Sequence, residues 1–241
     1  MTRRISLWSG PRNISTALMY SFAQRSDTRV FDEPLYAHYL VRSPARRYHP
    51  GAEEVIRTME TDGCRVVQEV FLGEFGRPVL FFKNMTHHLI DLELDFLDRL
   101  ENVILTRDPR EMLPSYAATV PDPSLKDTGY PQQAALLEEL LRRGQDPPVL
   151  ESSILLKNPR LVLDELCRRV GIPFEAAMLH WPAVPRPEDG VWAPHWYRNV
   201  HRSTGFIPYS PKAEPFPDRL KPLLDRCLPY YESMAGRALG R

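Results

Sequence analysis

The sequence has little of what marks several classes of protein. Among 241 residues it has three cysteines, Cys64, Cys167 and Cys227. Their number is odd and their spacing matches no CxxC pair and no metal motif, so we expect reduced thiols in an intracellular protein. The formal net charge is zero, with 31 basic and 31 acidic residues. We therefore expect neither a nucleic-acid partner nor a membrane partner, and any anion site must be local.

The N-terminal region has no long hydrophobic run. Arg3 and Arg4 precede a short apolar stretch that stops at Gly10 and Pro11. That stretch is too short for a signal-peptide core or a membrane span, so we expect a cytoplasmic protein. The chain also has no internal repeat and no low-complexity tract, and its 43% of hydrophobic residues can form a sizeable core.

What the sequence does contain is an alternation of strand and helix patterns. Strands are predicted at 3–8, 28–34, 78–84, 102–108 and 148–156. Helices are predicted at 15–25, 52–61, 86–100, from 109 onward, 132–143 and 159–170. Strands separated by helices predict an α/β fold with three layers, α/β/α, and a mainly parallel central sheet.

Beyond residue 175 the composition changes. Residues 176–217 are dense in proline and aromatic residues and show no periodicity. Such a segment is either a long ordered loop or a flexible one, and its aromatic content favours an ordered lid over the site. We predict one domain over 1–241, with a core at 1–175, the lid at 176–217 and a C-terminal helix within 218–241.

The stretch LWSGPRNISTALMYSF, residues 7–22, is typical of a strand, a tight turn and a helix. Such a turn presents backbone N–H groups to an anion. The ATP-binding form, GxxxxGK[ST], has a lysine that reaches the terminal phosphates. Counted from Gly10, that position is Thr16 here, and the only strong cation in the turn is Arg12.

A second motif follows the strand at 102–108. Arg107 stands at its C-terminal end, and Ser115 lies eight positions later. In an open parallel sheet, ligands bind beyond the carboxyl ends of the strands, so Arg107 and the first turn can face one crevice. Ser115 reaches the same anion only if the chain folds back sharply at Pro109, and Pro114 can loosen the backbone there.

The two motifs together resemble those of the PAPS-dependent sulfotransferases, which transfer the sulfuryl group of 3′-phosphoadenylyl sulfate (PAPS). The first family motif is a lysine or arginine followed by Ser-Gly-Thr-Thr or a close variant. The matching residues are Arg12, Asn13, Ile14, Ser15 and Thr16. The segment 149–174 also looks like the late strand and helix of the family.

The resemblance implies a P-loop NTPase-like fold and PAPS as co-substrate. It implies that residues 12–16 cradle the 5′-phosphosulfate and that Arg107 and Ser115 bind the 3′-phosphate. Sulfuryl transfer passes through a loose, in-line transition state, and we expect no required metal. Arg12 would stabilise the leaving phosphate.

The acceptor must lose a proton, and two places in the sequence can supply the base. Glu33 follows the second strand, where some bacterial members of the family have a glutamate. The structural alternative is that Asp32 and Glu33 cap a helix at Pro34. His87, beside His88, is the other candidate. The alternative for these histidines is an ordinary position at the solvated start of a helix.

Two further cations can be interpreted in two ways. Lys83 ends a predicted strand and either approaches the anion or pairs with a nearby carboxylate. Arg202 lies in RNVHRSTGF, which loosely resembles the loop that closes on the 3′-phosphate in the family. A surface turn rich in arginine is the alternative for Arg202.

Three functions remain open from the sequence. The first is a sulfotransferase that acts on a hydroxyl or amine of a small metabolite, either as a monomer or as a homodimer. The second is a P-loop kinase or hydrolase, which the absent Walker lysine and the lack of a Mg²⁺-binding aspartate other than Asp108 make less favourable. The third is a binding module without catalysis, which Asn13 and Ile14 favour because the family usually has Ser-Gly there.

Overall fold

A five-stranded sheet forms the centre of the protein. The computed structural model describes residues 2–211 and 214–241, so residues 212 and 213 of the predicted lid lie outside the described residues. All strand pairs are parallel, in the order β2-β3-β1-β4-β5. The strands are β1 (Arg3–Ser9), β2 (Thr28–Asp32), β3 (Val79–Met85), β4 (Glu101–Thr106) and β5 (Val149–Glu151).

Helices cover both faces of this sheet. They are α1 (Ser15–Phe22), α2 (Tyr36–Arg42), α3 (Ala52–Thr58), α4 (Gly63–Val66), α5 (Pro109–Ala117), α6 (Leu125–Thr128), α7 (Tyr130–Arg142), α8 (Ser152–Lys157), α9 (Pro159–Arg169), α10 (Ala193–Trp196) and α11 (Lys221–Ala235). None of the helices within the described ranges is long and apolar enough to cross a membrane.

Alternate residues of β1 build the two halves of the core. Ile5 and Leu7 pack in a buried cluster with residues of α1 and α9. Trp8 points the other way, into a cluster that includes residues of α5, α7 and α11. Because successive side chains of a strand point to opposite faces, one apolar strand supplies both layers. The predicted α/β/α architecture with a parallel sheet is confirmed.

Two predicted elements differ from the structure. The helix predicted at 86–100 is wrong, because the chain forms short 3-10 turns at Thr86–His88 and Asp95–Arg99 with irregular backbone between them. Asp91 has φ 51°, which no right-handed helix can contain. The strand predicted at 148–156 ends at Glu151, because the Glu151 carboxylate accepts hydrogen bonds from the N–H groups of the next turn and starts α8.

The strand order brings three carboxyl ends together. β1 lies between β3 and β4, so Ser9, Met85 and Thr106 end side by side at one edge of the sheet. The chain crosses from β3 over to β4 at this point, and such crossings are where open parallel sheets bind ligands.

The aromatic segment, which we define as residues 176–211, packs back onto the protein. Trp181 is buried against the cluster that contains α1 and α9. Trp192 and Tyr197 are buried against Tyr36 and other residues of α2 and α3. Three large rings of this segment are therefore buried against the rest of the protein.

Candidate active site

The turn between β1 and α1 is shaped by Arg12 rather than by a glycine. Arg12 has φ 53°, in the left-handed region that few residues other than glycine adopt. Ile14 has φ −90° and precedes the first residue of α1. The branched side chain of Ile14 therefore stands where the backbone makes no demand for glycine.

Asn13 ties this turn to two neighbouring elements. Its side-chain amide donates to the Leu105 carbonyl of β4 at 3.1 Å. Its oxygen accepts from the Ile14 N–H at 2.9 Å and from the Ser152 hydroxyl at the start of α8. Asn13 thus holds the turn in shape through its own side chain.

Arg12, Arg107 and Ser115 meet in space although they are far apart in sequence. Arg12 Nε donates to Ser115 Oγ at 3.0 Å, and Arg107 Nη1 donates to the Arg12 carbonyl at 2.8 Å. Ser115 lies in α5, which folds back after its N-cap Asp108 and contains Pro114. The fold-back that the second motif required is present.

Two guanidinium groups at this point create a positive region. Burial, and then the charge of Arg107, lower the pKa of Arg12. Arg107 Nε lies 3.4 Å from Glu111 Oε2, whereas no carboxylate of the described ranges forms an ion pair with Arg12. A bound anion would relieve the repulsion between the two arginines.

A cavity of about 430 Å³ opens over these residues. It is lined by Arg12, Thr16, Arg107 and Ser115 on one side, and on the other by Asn199, Val200, Ser203 and residues 205–210 of the aromatic segment. We call it the donor cavity, after the sulfuryl donor that the resemblance in the sequence predicts. Arg202, named above as a possible phosphate contact, is exposed on the turn Val200–Arg202 and does not line it.

A second, smaller cavity of about 110 Å³ shares Arg12, Asn13 and Thr16 with the first. We call it the acceptor cavity, after the acceptor that the same resemblance predicts. Ser15 also lines it, as the buried first residue of α1. Its aromatic walls are Tyr36, Tyr116, Trp192, Trp196 and Tyr197. The two cavities meet at the β1–α1 turn.

Glu33 lines the acceptor cavity at the end of β2. Its backbone has φ 45°, and its carboxylate contacts the buried Lys83 ammonium. Lys83 also donates to Asp32 at 2.9 Å. Lys83 therefore pairs with carboxylates, which was one of its two interpretations.

Burial raises the pKa of Glu33, and the charge of Asp32 adds to this, while Lys83 opposes it. Lys83 thus contacts both carboxylates, and Glu33 is the one of the two that lines the cavity. The helix after Pro34, α2, begins at Tyr36 without a side-chain cap, so Asp32 and Glu33 do not cap it.

Asp32 also binds the aromatic segment. Its carboxylate accepts from the Gly190 N–H at 3.1 Å and from the Tyr197 hydroxyl at 2.7 Å. The Tyr197 hydroxyl in turn accepts from Trp192 Nε1 at 3.0 Å and from Lys83 Nζ at 2.6 Å. The sequence did not predict Tyr197 as a site residue, although the aromatic density around it was a signal.

The two histidines after β3 are neutral at ordinary pH. Burial lowers the pKa of His87, which lines the acceptor cavity, to about 3. His88 stacks on the rings of Tyr36 and Tyr39, at 5.0 and 4.6 Å between centroids, and burial lowers its pKa well below the usual value. An imidazole with so low a pKa is a weak base.

Asp108, weighed above as a metal ligand, has another role. It accepts from the Arg110 N–H at 2.8 Å as the N-cap of α5, and its carboxylate pairs with the Arg110 guanidinium. Within the described ranges, no group of three or more histidine, cysteine, aspartate or glutamate side chains is arranged to hold a metal ion.

Solved structures with the same fold are sulfotransferase domains. The chain superposes on the sulfotransferase domain of the curacin biosynthetic pathway with a TM-score of 0.57 and 15% identity, covering 94% of this chain and 97% of that one. For the sulfotransferase domain of the Synechococcus PCC 7002 olefin synthase the TM-score is 0.56 at 15% identity, with 98% and 96% covered. These likenesses support the P-loop-like fold.

Two curated plant proteins are closer in sequence. Branched-chain-amino-acid aminotransferase-like proteins 1 and 2 of Arabidopsis thaliana are 42% and 38% identical to 94% of this chain. The chain spans only 40% of the length of each. The profile of the family described as "Sulfotransferase domain" matches residues 3–238. The resemblance noted in the sequence is thus confirmed, and the chain belongs to the sulfotransferase domain family.

Proposed function

We propose that the protein transfers a sulfuryl group from PAPS to a hydroxyl or amine of a small metabolite. The observation that carries this proposal is the junction of the two cavities. Arg12, Asn13 and Thr16 line both, so a donor in one and an acceptor in the other would meet at the β1–α1 turn. A sulfuryl group crossing that junction would travel a short distance in line.

The donor cavity has the groups that two phosphates need. Thr16 and the backbone at the start of α1 would hold the 5′-phosphate, with Arg12 beside them. Arg107 and Ser115 would hold the 3′-phosphate. Arg12 has no carboxylate partner among the described residues and lies beside Arg107, and two close guanidinium groups favour an anion of high charge.

PAPS supplies the sulfuryl group, whose bond to the 5′-phosphate oxygen breaks as a bond from sulfur to the acceptor oxygen or nitrogen forms. The electron pair of the broken bond remains on the phosphate oxygen, where Arg12 stabilises it. Glu33 accepts the proton of the acceptor, since its raised pKa keeps it basic enough and it lines the acceptor cavity. His87 is the weaker candidate because its pKa is about 3.

The domain organisation is part of the proposal. Residues 1–175 form the catalytic core, residues 176–217 act as the lid, and the chain closes with the helix within 218–241. Support for the lid role comes from Trp192, Trp196 and Tyr197, which wall the acceptor cavity. Tyr197 also reaches Asp32 and Lys83 at the base of that cavity.

The names of the plant relatives suggest another activity, aminotransfer, which we do not assign to this chain. The match covers 40% of each relative, and the profile that matches this chain over 3–238 is that of a sulfotransferase domain.

The decisive experiment compares adenosine 3′,5′-bisphosphate, the product of PAPS, with ADP and AMP as stabilising ligands. At about a hundredfold excess over Kd, the bisphosphate should add about 2.7 kcal/mol to the free energy of unfolding, and ADP clearly less. Equal thermal shifts for ADP and the bisphosphate would remove the basis for a 3′-phosphate site. Transfer of labelled sulfate from PAPS to a metabolite extract then separates an enzyme from a binding module.

A further inference from the structure

A carboxylate lies in the wall of the donor cavity, between the two residues that the proposed function gives to the 3′-phosphate. Glu111 lines this cavity together with Arg107 and Ser115. In the sequence it stands midway between them, on the first turn of α5. A site for a highly charged anion therefore contains an acid, and its position relative to Arg107 decides what that acid does.

Glu111 faces the edge of Arg107 that a phosphate needs. Nε and Nη2 of Arg107 both lie 3.4 Å from Glu111 Oε2. The third nitrogen, Nη1, already donates to the Arg12 carbonyl at 2.8 Å. Arginine holds a phosphate best through two parallel N–H bonds from one edge of its guanidinium group. The carboxylate therefore stands where the 3′-phosphate would make its two bonds to Arg107.

The contact between Glu111 and Arg107 is long. Charge-assisted bonds are usually about 2.7–2.9 Å, and Arg107 Nε is buried without a hydrogen-bond partner among the described residues. Glu111 makes a shorter bond through its other oxygen, because Oε1 accepts from the Tyr209 hydroxyl at 2.6 Å. Tyr209 lines the same cavity from the aromatic segment. Its hydroxyl holds the carboxylate beside Arg107 without a tight pair between the two charges.

A carboxylate at this place treats a phosphate and a hydroxyl differently. It repels a phosphate, which has the same sign of charge, and it accepts a hydrogen bond from a ribose hydroxyl. Dinucleotide-binding sites use this difference, because an acidic residue there binds a free ribose hydroxyl whereas an arginine accommodates a ribose phosphate. The donor cavity has one residue of each kind, Glu111 and Arg107, in contact.

We propose that Glu111 sets the selectivity of the donor cavity between nucleotides with and without a 3′-phosphate. Its carboxylate competes with the 3′-phosphate for Arg107 and accepts from a free 3′-hydroxyl, so it lowers the preference that Arg107 and Ser115 create. This inference rests on the proposed function, in which those two residues bind the 3′-phosphate. In a transferase the weaker binding favours release of adenosine 3′,5′-bisphosphate after each transfer.

Glu111→Gln tests this role, because the amide keeps the size of the side chain and still accepts from Tyr209. Adenosine 3′,5′-bisphosphate and ADP are each titrated calorimetrically into the parent and into the variant. We expect the variant to bind the bisphosphate about tenfold more tightly than the parent does, and ADP no more tightly. The two ligands have similar total charge, so a long-range effect of the removed charge would change both affinities alike. A ratio of the two affinities equal to the parent's, or smaller, would overturn the inference.

Two further variants support the measurement. Glu138→Gln is the matched control, because Glu138 is exposed on α7 and lines neither cavity, so the ratio should stay at the parent's value. An equal rise of the ratio in Glu138→Gln and Glu111→Gln would contradict a role for the contact with Arg107. Glu111→Ala removes the carboxylate altogether and should also raise the ratio, so it decides the question if Glu111→Gln does not fold.

The same titrations separate this inference from the proposed function. If the parent prefers the bisphosphate and Glu111→Gln has the same ratio, the 3′-phosphate site stands and the inference about Glu111 is wrong. If neither protein distinguishes the bisphosphate from ADP, the PAPS proposal is wrong and the inference falls with it. A preference that appears in the variant alone would support the role of Glu111 and contradict PAPS as the donor of the parent.

Discussion

Arg12 occupies a position where stability and binding oppose each other. Its left-handed backbone and its half-buried charge beside Arg107 are both unfavourable in the protein without ligand. Binding sites typically contain residues that lower the stability of the free protein but make favourable contacts with a ligand. The contact between Arg12 and Ser115 offsets part of this, at 3.0 Å.

Arg12→Met should therefore leave the melting temperature of the free protein unchanged or raise it, while weakening bisphosphate binding. The loss of a charge-assisted contact corresponds to about 1.5–3 kcal/mol, or roughly 10- to 100-fold in Kd. Thermal shift and calorimetric titration on one preparation measure both effects. Arg110→Met is the control, since Arg110 is exposed and pairs with Asp108. A strongly destabilised Arg12→Met would show that Arg12 serves the fold.

Arg107 should decide between nucleotides. Arg107→Ala should weaken binding of the bisphosphate by roughly 1.5–3 kcal/mol and binding of ADP by less, because only the bisphosphate has the 3′-phosphate. Part of this loss in binding will come from the turn itself, because the variant also removes the hydrogen bond from Arg107 to the Arg12 carbonyl at 2.8 Å. Parallel titrations of the two nucleotides measure the difference. A uniform loss for both would mean that Arg107 acts by shaping the turn.

Glu33→Gln tests the base. The variant should bind the bisphosphate normally and lose about 10²–10⁴ in turnover, because the amide keeps the size of Glu33 but accepts no proton. Burial raises the Glu33 pKa above its ordinary 4.5, so the ionised fraction, and with it the rate of the parent, should rise with pH through that raised value. The variant should lose this acidic limb. Turnover like the parent's would transfer the role to His87, and His87→Asn would be the next variant.

At the scale of elements, one hydroxyl joins the aromatic segment to the buried charged residues of β2 and β3. Tyr197 connects it to Lys83 and Asp32, and Trp192 donates to the same oxygen. Tyr197→Phe should lower stability by about 1–3 kcal/mol, since several buried polar groups lose a partner. It should also speed proteolysis within residues 182–211, because the segment would open more often.

Limited proteolysis followed by mass spectrometry locates the cuts. Tyr209→Phe is the matched control in the same segment, where the hydroxyl donates to Glu111 at 2.6 Å near the surface. Equal protection of the parent and Tyr197→Phe would contradict the role of the Tyr197 hydroxyl as an anchor. Faster cutting in both variants would assign the effect to the segment as a whole.

At the scale of the whole molecule, the buried histidines predict acid lability. The pKa of His87 is lowered to about 3 and that of His88 well below 6.5, so the unfolded chain binds more protons than the folded one in this window. Their contribution to stability is present above pH 6.5 and is lost as the pH falls toward the folded values. As the pH falls below 6.5, His87 should lower the free energy of unfolding by up to about 1.4 kcal/mol per pH unit, and His88 acts in the same direction.

Chemical denaturation at several pH values measures this slope. His87→Phe keeps a ring beside Tyr39 and removes one titrating group. The dependence of the free energy of unfolding on pH should therefore weaken by the contribution of about one proton. Tyr39→Phe is the control, because it alters the same ring cluster without removing an imidazole. A slope unchanged in His87→Phe would mean that this histidine is already protonated in the folded protein.

The sequence alone determined the features that depend on local pattern. Each of the five strands begins within a segment predicted as a strand or one residue from it, and continuous apolar runs marked β3 and β4, because strands buried on both faces need such runs. Short motifs with fixed spacing marked Arg12, Arg107 and Ser115, and the family followed from them. The helix predicted at 86–100 failed because apolar residues at helical spacing also occur in an irregular segment that packs on the core.

Only the tertiary structure decided which distant groups meet. Asp32, Lys83 and Tyr197 come from three elements separated by up to 165 positions, and no local pattern relates them. It also decided the chemistry of each group, because pKa values depend on burial and on neighbouring charge. In the sequence Glu33 was the first candidate base and His87 the alternative, and burial lowered the pKa of His87 and raised that of Glu33. Burial disfavours the charged form of either group. The charged form is the protonated one for histidine and the deprotonated one for glutamate, so the two pKa values shift in opposite directions.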